Sequence, residues 1–201
     1  MAHAHPQDTV LLREQIVSAA LGLVEESGLD AVTMRSLARR LGYSPASLYM
    51  HFRGKEELLR AVAAEKAGAL LDRVRSAARA AQPADGLRAF AEQLLDFAHD
   101  SHAFDRLIFD ETPGAPFDSE EDALRTQLYE TLAGLVGRAL AARTVSPLDP
   151  AVEAAVAWGE LRGLARLVRP EGPDPAPARS AAAGRSAALA DAWAERWRLA
   201  A

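Results

Sequence analysis

The sequence predicts an all-α protein, and three observations predict it. Apolar residues recur at i, i+3, i+4 and i+7 in one segment after another, the 3.6-residue period of a helix with a single buried face. No stretch alternates apolar and polar residues as a half-buried strand does. Proline and glycine punctuate the chain between the periodic segments, which number about nine.

The first helix is expected over residues 10–27, with Leu12, Ile16, Ala19, Ala20 and Leu23 on one stripe and Gly28 after its end. Residues 33–59 then read as a short amphipathic helix, a tight turn, a second short helix and the start of another. Met34, Leu37, Ala38 and Leu41 mark the buried face of the first of these, Thr33 caps it, and Gly42 stops it in the left-handed conformation. Ser44 caps the next helix, whose first position is Pro45, where a missing N–H costs nothing. Two helices joined in this way have the helix-turn-helix shape.

At about 100° per residue, Leu48 and Phe52 face inward from the second short helix, and Ala46, Ser47 and Met50 fall opposite. These slim side chains suit close approach to a surface such as the major groove, with Tyr49 and His51 placed toward its phosphate walls. No acidic residue occurs over 31–55, while Arg35, Arg39, Arg40, Arg53 and Lys55 do. Such cations release counterions from a duplex. The alternative is an ordinary three-helix core piece with a solvated basic face.

The 24 residues SLARRLGYSPASLYMHFRGKEELL closely resemble the DNA-binding region of the tetracycline-repressor (TetR) family. Leu37, Ala38, Leu41, Gly42, Ser44, Leu48, Tyr49, His51, Phe52, Lys55, Leu58 and Leu59 carry the match, which is strong over 10–60 and weaker beyond. The resemblance implies an N-terminal helix-turn-helix DNA-binding domain over 1–54. A helical effector-binding and dimerisation domain over 55–201 follows it. It further implies that Thr33, Arg35, Tyr43, Ser44, Ala46, Ser47, Tyr49, His51 and Lys55 contact DNA.

Beyond the head, a long helix is expected from Lys55 to about residue 81, with Leu58, Val62, Leu70 and Val74 inward. A lysine at the positive end of that helix hints at a compensating external anion. A break over 82–86 precedes a helix carrying Leu87, Phe90, Leu94 and Phe97. Further helices are expected over about 103–111, 120–142, 150–168 and 180–200, separated by loops at 112–118, 146–150 and 170–177.

The aromatic residues Phe90, Phe97, Phe104, Phe109, Phe117, Tyr129 and Trp158 lie where helices can enclose an apolar pocket, though each alone is ordinary core material. Residues 101–109 and 157–167 resemble regulatory segments of one TetR subgroup, with Ala103 in place of proline and Arg162 where histidine is usual. An effector pocket is therefore expected at Phe90, Leu94, Phe97, Phe104, Phe109, Tyr129, Trp158 and Arg162. Arg162 suits an acidic ligand, an internal carboxylate such as Glu160, or an interface salt bridge.

Small residues Ala154, Ala155, Gly159 and Gly163 beside Leu161, Leu164 and Leu167, with Leu189, Trp193 and Trp197 on the last helix, point to a two-fold dimer through these two helices. An intramolecular lid is the alternative. His99 and His102, with Asp96, Asp100 and Asp105 nearby, have a weak metal-ligand spacing, and solvated positions explain them as well. His3 and His5 lie in a tail.

Of 201 residues 49% are hydrophobic and 25% charged, the composition of a soluble globular protein. Net charge is −5, so cationic character is concentrated at the head rather than spread over the chain. With no cysteine there is neither disulfide nor thiolate chemistry. No apolar run reaches the roughly 18 residues a bilayer needs, and the N-terminus lacks a secretory pattern. A phosphate loop, a nucleophile elbow and a zinc-protease motif are likewise missing from the sequence. The expectation is a cytoplasmic, non-enzymatic, ligand-responsive transcriptional regulator, a repressor. It binds a palindromic operator as a homodimer, is released by a small-molecule effector, and needs no cofactor, metal or membrane.

Overall fold

Side-chain caps at Thr33, Ser44 and Asp149 set three of the helix starts. The computed structural model describes residues 6–80, 82–109, 120–142, 149–169 and 179–198. Among these residues there are nine α-helices and no strand: α1 (Pro6–Ser27), α2 (Met34–Leu41), α3 (Pro45–Tyr49), α4 (Lys55–Ala77), α5 (Pro83–Asp100), α6 (His102–Phe109), α7 (Glu120–Ala141), α8 (Pro150–Val168) and α9 (Arg179–Ala194). Two short 3-10 turns, Leu29–Ala31 and Glu195–Trp197, complete the described elements. No helix among them is long and apolar enough to cross a membrane. The expected loop at 112–118 with Phe117, the break at 146–148, the Pro-rich loop at 170–177, and His3 and His5 lie outside the described residues.

The chain divides into two compact units, Met1–Lys66 and Ala67–Ala201. In the first, α1 packs on α2, and α2 on α3. Ile16, Val17, Ala20 and Val24 of α1, Met34, Leu37 and Ala38 of α2, Leu48 of α3, and Leu58 and Val62 of α4 are buried apolar residues of this unit. Phe52, just past α3, is 1% exposed, and the Arg13 guanidinium lies 4.8 Å over its ring. Burying Leu48 and Phe52 contributes roughly 1.5–3 kcal/mol each.

In the second unit α5 is the central helix, packed against α9, α8 and α7. Leu87, Phe90, Ala91, Leu94, Leu95, Phe97 and Ala98 are all buried, and a helix apolar on most sides must be covered on most sides. Gly86 sets one close approach. A Cβ there would come within 2.7 Å of the Leu135 Cδ2 of α7, so only a hydrogen fits without displacing that leucine.

Three boundaries differ from the sequence expectation. The long helix α4 stops at Ala77, where the Arg79 and Ala80 amides donate tightened three-residue bonds to the carbonyls of Ser76 and Ala77. Pro83 occupies the first turn of α5, so Gly86 lies inside a helix rather than in a break. The last helix ends at Ala194 and tightens into the 3-10 turn that carries Trp197.

Candidate functional site

The head is built by two caps and a glycine stop. Thr33 caps α2 reciprocally: its Oγ1 accepts from the Ser36 amide at 3.0 Å, and Ser36 Oγ accepts from the Thr33 amide at 3.0 Å. Gly42 ends α2 with φ 73° and ψ 23°, a left-handed conformation that a side chain resists. The Tyr43 amide then returns to the Ala38 carbonyl at 2.9 Å. Ser44 caps α3 by accepting from the Ser47 amide at 3.2 Å, and the two hydroxyl oxygens lie 2.9 Å apart.

These caps fix which way α3 faces. Leu48 is fully buried, whereas Met50 is 86%, Tyr49 54% and Tyr43 45% exposed. Ala46 and Ser44 are exposed, and Ser47 and His51 are half-buried. The outward side of α3 thus presents small or unbranched side chains, with two phenol groups at its margins. Thr33 and Arg35 are exposed at the start of α2.

The cationic residues do not all serve one surface. Arg40 is held by Glu26 in a two-pronged pair, 2.6 Å on each prong. Hydrogen bonding to Arg40 keeps the Glu26 carboxyl below its usual range. Arg35, Arg39 and Arg53 are exposed and make no side-chain ion pair among the described residues. Lys55 is half-buried, and its Nζ donates to the Leu29 carbonyl at 2.9 Å. An internal carbonyl therefore already compensates the lysine at the positive end of α4, where the sequence hinted at an external anion.

In the second unit the expected pocket residues fall into two groups. Phe90 and Leu94 are fully buried, and Phe97 and Phe104 are 3% and 2% exposed, all within the core. Phe109, Tyr129, Trp158 and Arg162 are each only partly buried and meet one another. Phe109 and Tyr129 both approach the Trp158 ring edge-on, at 6.0 and 6.2 Å between centroids. The Arg162 guanidinium lies 4.0 Å over Phe109.

Arg162 does not take Glu160. It grips Asp105 of α6, Nη1 to Oδ1 at 2.9 Å and Nη2 to Oδ2 at 3.2 Å. Arg169 adds Nε to Oδ2 at 2.6 Å. Glu160 instead accepts from Trp193 Nε1 at 2.9 Å and Arg196 Nη1 at 2.7 Å. The sequence does not point to Asp105 as the partner of either arginine, because 57 and 64 residues separate it from them and no local pattern links them.

Two further expectations change. Trp193 and Trp197 do not form an exposed stripe: they are 8% and 3% exposed within their own chain. The open apolar surface lies on α8, where Val152, Val156 and Leu167 are 58%, 45% and 69% exposed and Gly159 and Gly163 stand between them. A groove of about 610 Å³ continues it between α8 and α9, past Leu164, Leu189 and Ala192. Histidine positions also differ. His99 is buried, with Nδ1 2.8 Å from Asp100 Oδ1, rather than solvated. His102 is half-buried, and burial, then the nearby Arg106 and His99, pushes its pKa below the ordinary 6.5. Among the described residues no three His, Asp or Glu side chains are grouped to hold a metal.

Comparison with known proteins agrees with this geometry. Residues 16–62 match the family model "Bacterial regulatory proteins, tetR family". Over 55 residues the chain is 46% identical to the tetracycline repressor protein class D of Escherichia coli, covering 27% of this chain and 25% of that protein. It is 32% identical over 88 residues to the nicotine-responsive transcriptional repressor HdnoR of Paenarthrobacter nicotinovorans, covering 44% of each. The chain thus spans from a quarter to less than half of the length of these curated relatives. The structure of the TetR family regulator PfmR from Thermus thermophilus is similar along nearly its whole length. The two share 26% identity, with 90% of this chain and 97% of that one covered and a TM-score of 0.62. Residues 16–62 are thus a DNA-binding head of the tetR family of bacterial regulatory proteins, and the fold of the whole chain is similar to that of a TetR family regulator.

Proposed function

We propose that this chain is a ligand-responsive transcriptional regulator, a repressor, that binds a palindromic operator as a homodimer and leaves it when a small molecule binds the second unit. The observation that carries the reading is the outward side of α3. Ala46 and Met50 are exposed there, Ser47 is half-open, and buried Leu48 and Phe52 anchor the opposite side. A slim helix face enters a major groove, whose base edges carry the sequence code. Ser47 is the polar reader and Ala46 an apolar one, suited to a thymine methyl. Thr33, Arg35, Tyr43, Ser44, Tyr49 and His51 hold phosphates or sugar, and Lys55 adds a cation beside its internal bond. These contacts fix register, and the bases supply specificity.

A two-fold dimer sets two such helices in successive major grooves, about 34 Å apart. The open stripe Val152, Val156, Gly159, Gly163 and Leu167 supports α8, with α9 beside it, as the dimer face. Such a stripe lets helices approach closely and is unfavourable to leave in water. The effector acts by shifting populations, so it binds the released state more tightly than the DNA-competent one. The partly open residues Phe109, Tyr129, Trp158 and Arg162, with the packed Phe90, Leu94, Phe97 and Phe104 of the same unit, support the second unit as its site. Acting on DNA, the protein works in the cytoplasm.

The test is to recover, from the source genome, the fragments that the purified chain selects. One recurring palindrome, bound by the parent and lost on mixing with a cognate small molecule, is expected. Selection of no common sequence overturns the regulator reading.

A further inference from the structure

The second unit contains a buried carboxylate that packing alone does not require. Asp105 is 0% exposed and is shared by Arg162 and Arg169. Removing ions from water costs several kcal/mol each, and an apolar cluster of equal volume serves a core as well or better. Arg162 has a second feature. Its guanidinium face rests 4.0 Å over Phe109 while its edge holds Asp105. Beyond Phe109, Trp158 and Tyr129 continue an aromatic wall. All four of these side chains keep part of their surface open. An aromatic cluster, its rings set edge-to-face, therefore adjoins a guanidinium edge that is already shaped around one carboxylate.

We propose that the effector is a small aromatic carboxylate that packs among Phe109, Trp158 and Tyr129 and takes the Arg162 edge from Asp105. The proposal rests on the reading of the chain as an effector-controlled regulator. The two-arginine arrangement makes the exchange balanced in charge. Asp105 keeps Arg169 through Oδ2, and the incoming carboxylate supplies Arg162 with an equivalent two-pronged partner. Both guanidinium groups remain paired with an anion throughout. A neutral ligand of the same shape leaves Arg162 on Asp105 and gains only ring contacts. A cationic ligand meets Arg162 as a like charge.

Asp105 is then an internal competitor, so removing its charge strengthens the ligand. The experiment titrates the full chain with 1-naphthoate and with its neutral amide, 1-naphthamide, by calorimetry and tryptophan fluorescence. The parent is expected to prefer the carboxylate at least tenfold. Asp105→Asn should tighten naphthoate about tenfold and leave the amide unchanged, and Arg162→Gln should abolish the preference. Trp158→Phe should remove most of the fluorescence response. Equal binding of the two probes by the parent, or no saturable naphthoate binding at all, overturns the proposal. So does a folded Asp105→Asn variant that binds naphthoate no better than the parent. If Asp105→Asn fails to fold, the parent comparison and Arg162→Lys decide the matter, because lysine keeps the charge and loses the two-pronged edge. Operator selection on the same preparations separates the two readings. A chain that binds its palindrome without carboxylate preference sinks this inference alone, and a chain that selects no DNA sinks the regulator reading.

Discussion

Lys55 donates its ammonium to the Leu29 carbonyl at 2.9 Å, so the first residue of α4 is tied to the turn between α1 and α2. The bond bridges 26 residues and holds the start of α4 against the rest of the head. The brace leaves donors for the phosphate contact proposed for Lys55, since an ammonium has three donors and the carbonyl uses one.

Replacing Lys55 by methionine keeps the stem and removes the charge. The expected result is a loss of about 1.5 kcal/mol in stability, the net worth of a hydrogen bond to a charged group. Operator affinity should fall as well, with the salt dependence of binding shallower by about one phosphate contact. Denaturant titration and binding at several salt concentrations measure the two effects separately. Unchanged salt dependence would show that Lys55 is a brace only.

Tyr49 and Ser44, at opposite ends of α3, test the proposed DNA contact and the helix cap in turn. Tyr49 is 54% exposed, so Tyr49→Ala should alter stability by less than about 0.5 kcal/mol and weaken operator binding across all sequences. Ser44 holds the Ser47 amide, and Ser44→Ala should cost about 1 kcal/mol through the lost cap. Circular dichroism melts set against gel-shift titrations check the pair. A Tyr49→Ala variant that binds operator like the parent removes that phenol from the DNA-contact set.

Local chemistry makes the head legible. Thr33, Gly42, Ser44 and Pro45 each act within four residues of their own position, and the burial of Leu37, Ala38, Leu48 and Phe52 follows from helical period alone. The same is true of Leu58, Val62, Leu70 and Val74 of α4 and of Leu87, Phe90, Leu94 and Phe97 of α5. What the residues do not disclose is long-range pairing. Arg40 has the look of a free cation in the sequence, yet Glu26, 14 residues away, holds it. Arg162 has Glu160 as its neighbour on the helix, yet Asp105 reaches it from α6. Trp193 and Trp197 carry the spacing of a stripe, but spacing does not say which molecule covers it. Their own chain does, with Glu160 satisfying the Trp193 indole.

That reassignment yields a prediction about α8. Val156 and Leu167 are exposed in the single chain, so Val156→Glu and Leu167→Glu should leave the monomer fold and its helicity intact. In a dimer built on α8 each variant buries an unpaired carboxylate, and sedimentation should show monomer. Trp193→Ala, by contrast, should lower stability by roughly 3 kcal/mol because it empties a packed site. If both glutamate variants sediment as the parent does, the interface lies elsewhere on the second unit.

His102 gives the protein a particular acid sensitivity. Burial, with Arg106, His99 and Arg169 close by, holds its folded pKa below the ordinary 6.5. Above that value the imidazole is neutral whether the chain is folded or not, and the residue contributes no pH dependence. As pH falls through 6.5 the unfolded chain takes the proton first, so stability drops until the folded pKa is passed. Asp96 acts with the opposite sign. Burial raises its folded pKa above 3.8, so the folded chain takes that proton first and gains stability as pH falls toward 3.8. His102→Gln removes only the first effect. Urea midpoints measured from neutral pH downward should fall more steeply for the parent than for His102→Gln, with the two curves diverging just below the ordinary histidine range. Parallel curves across that window would show that His102 is equally easy to protonate in both states.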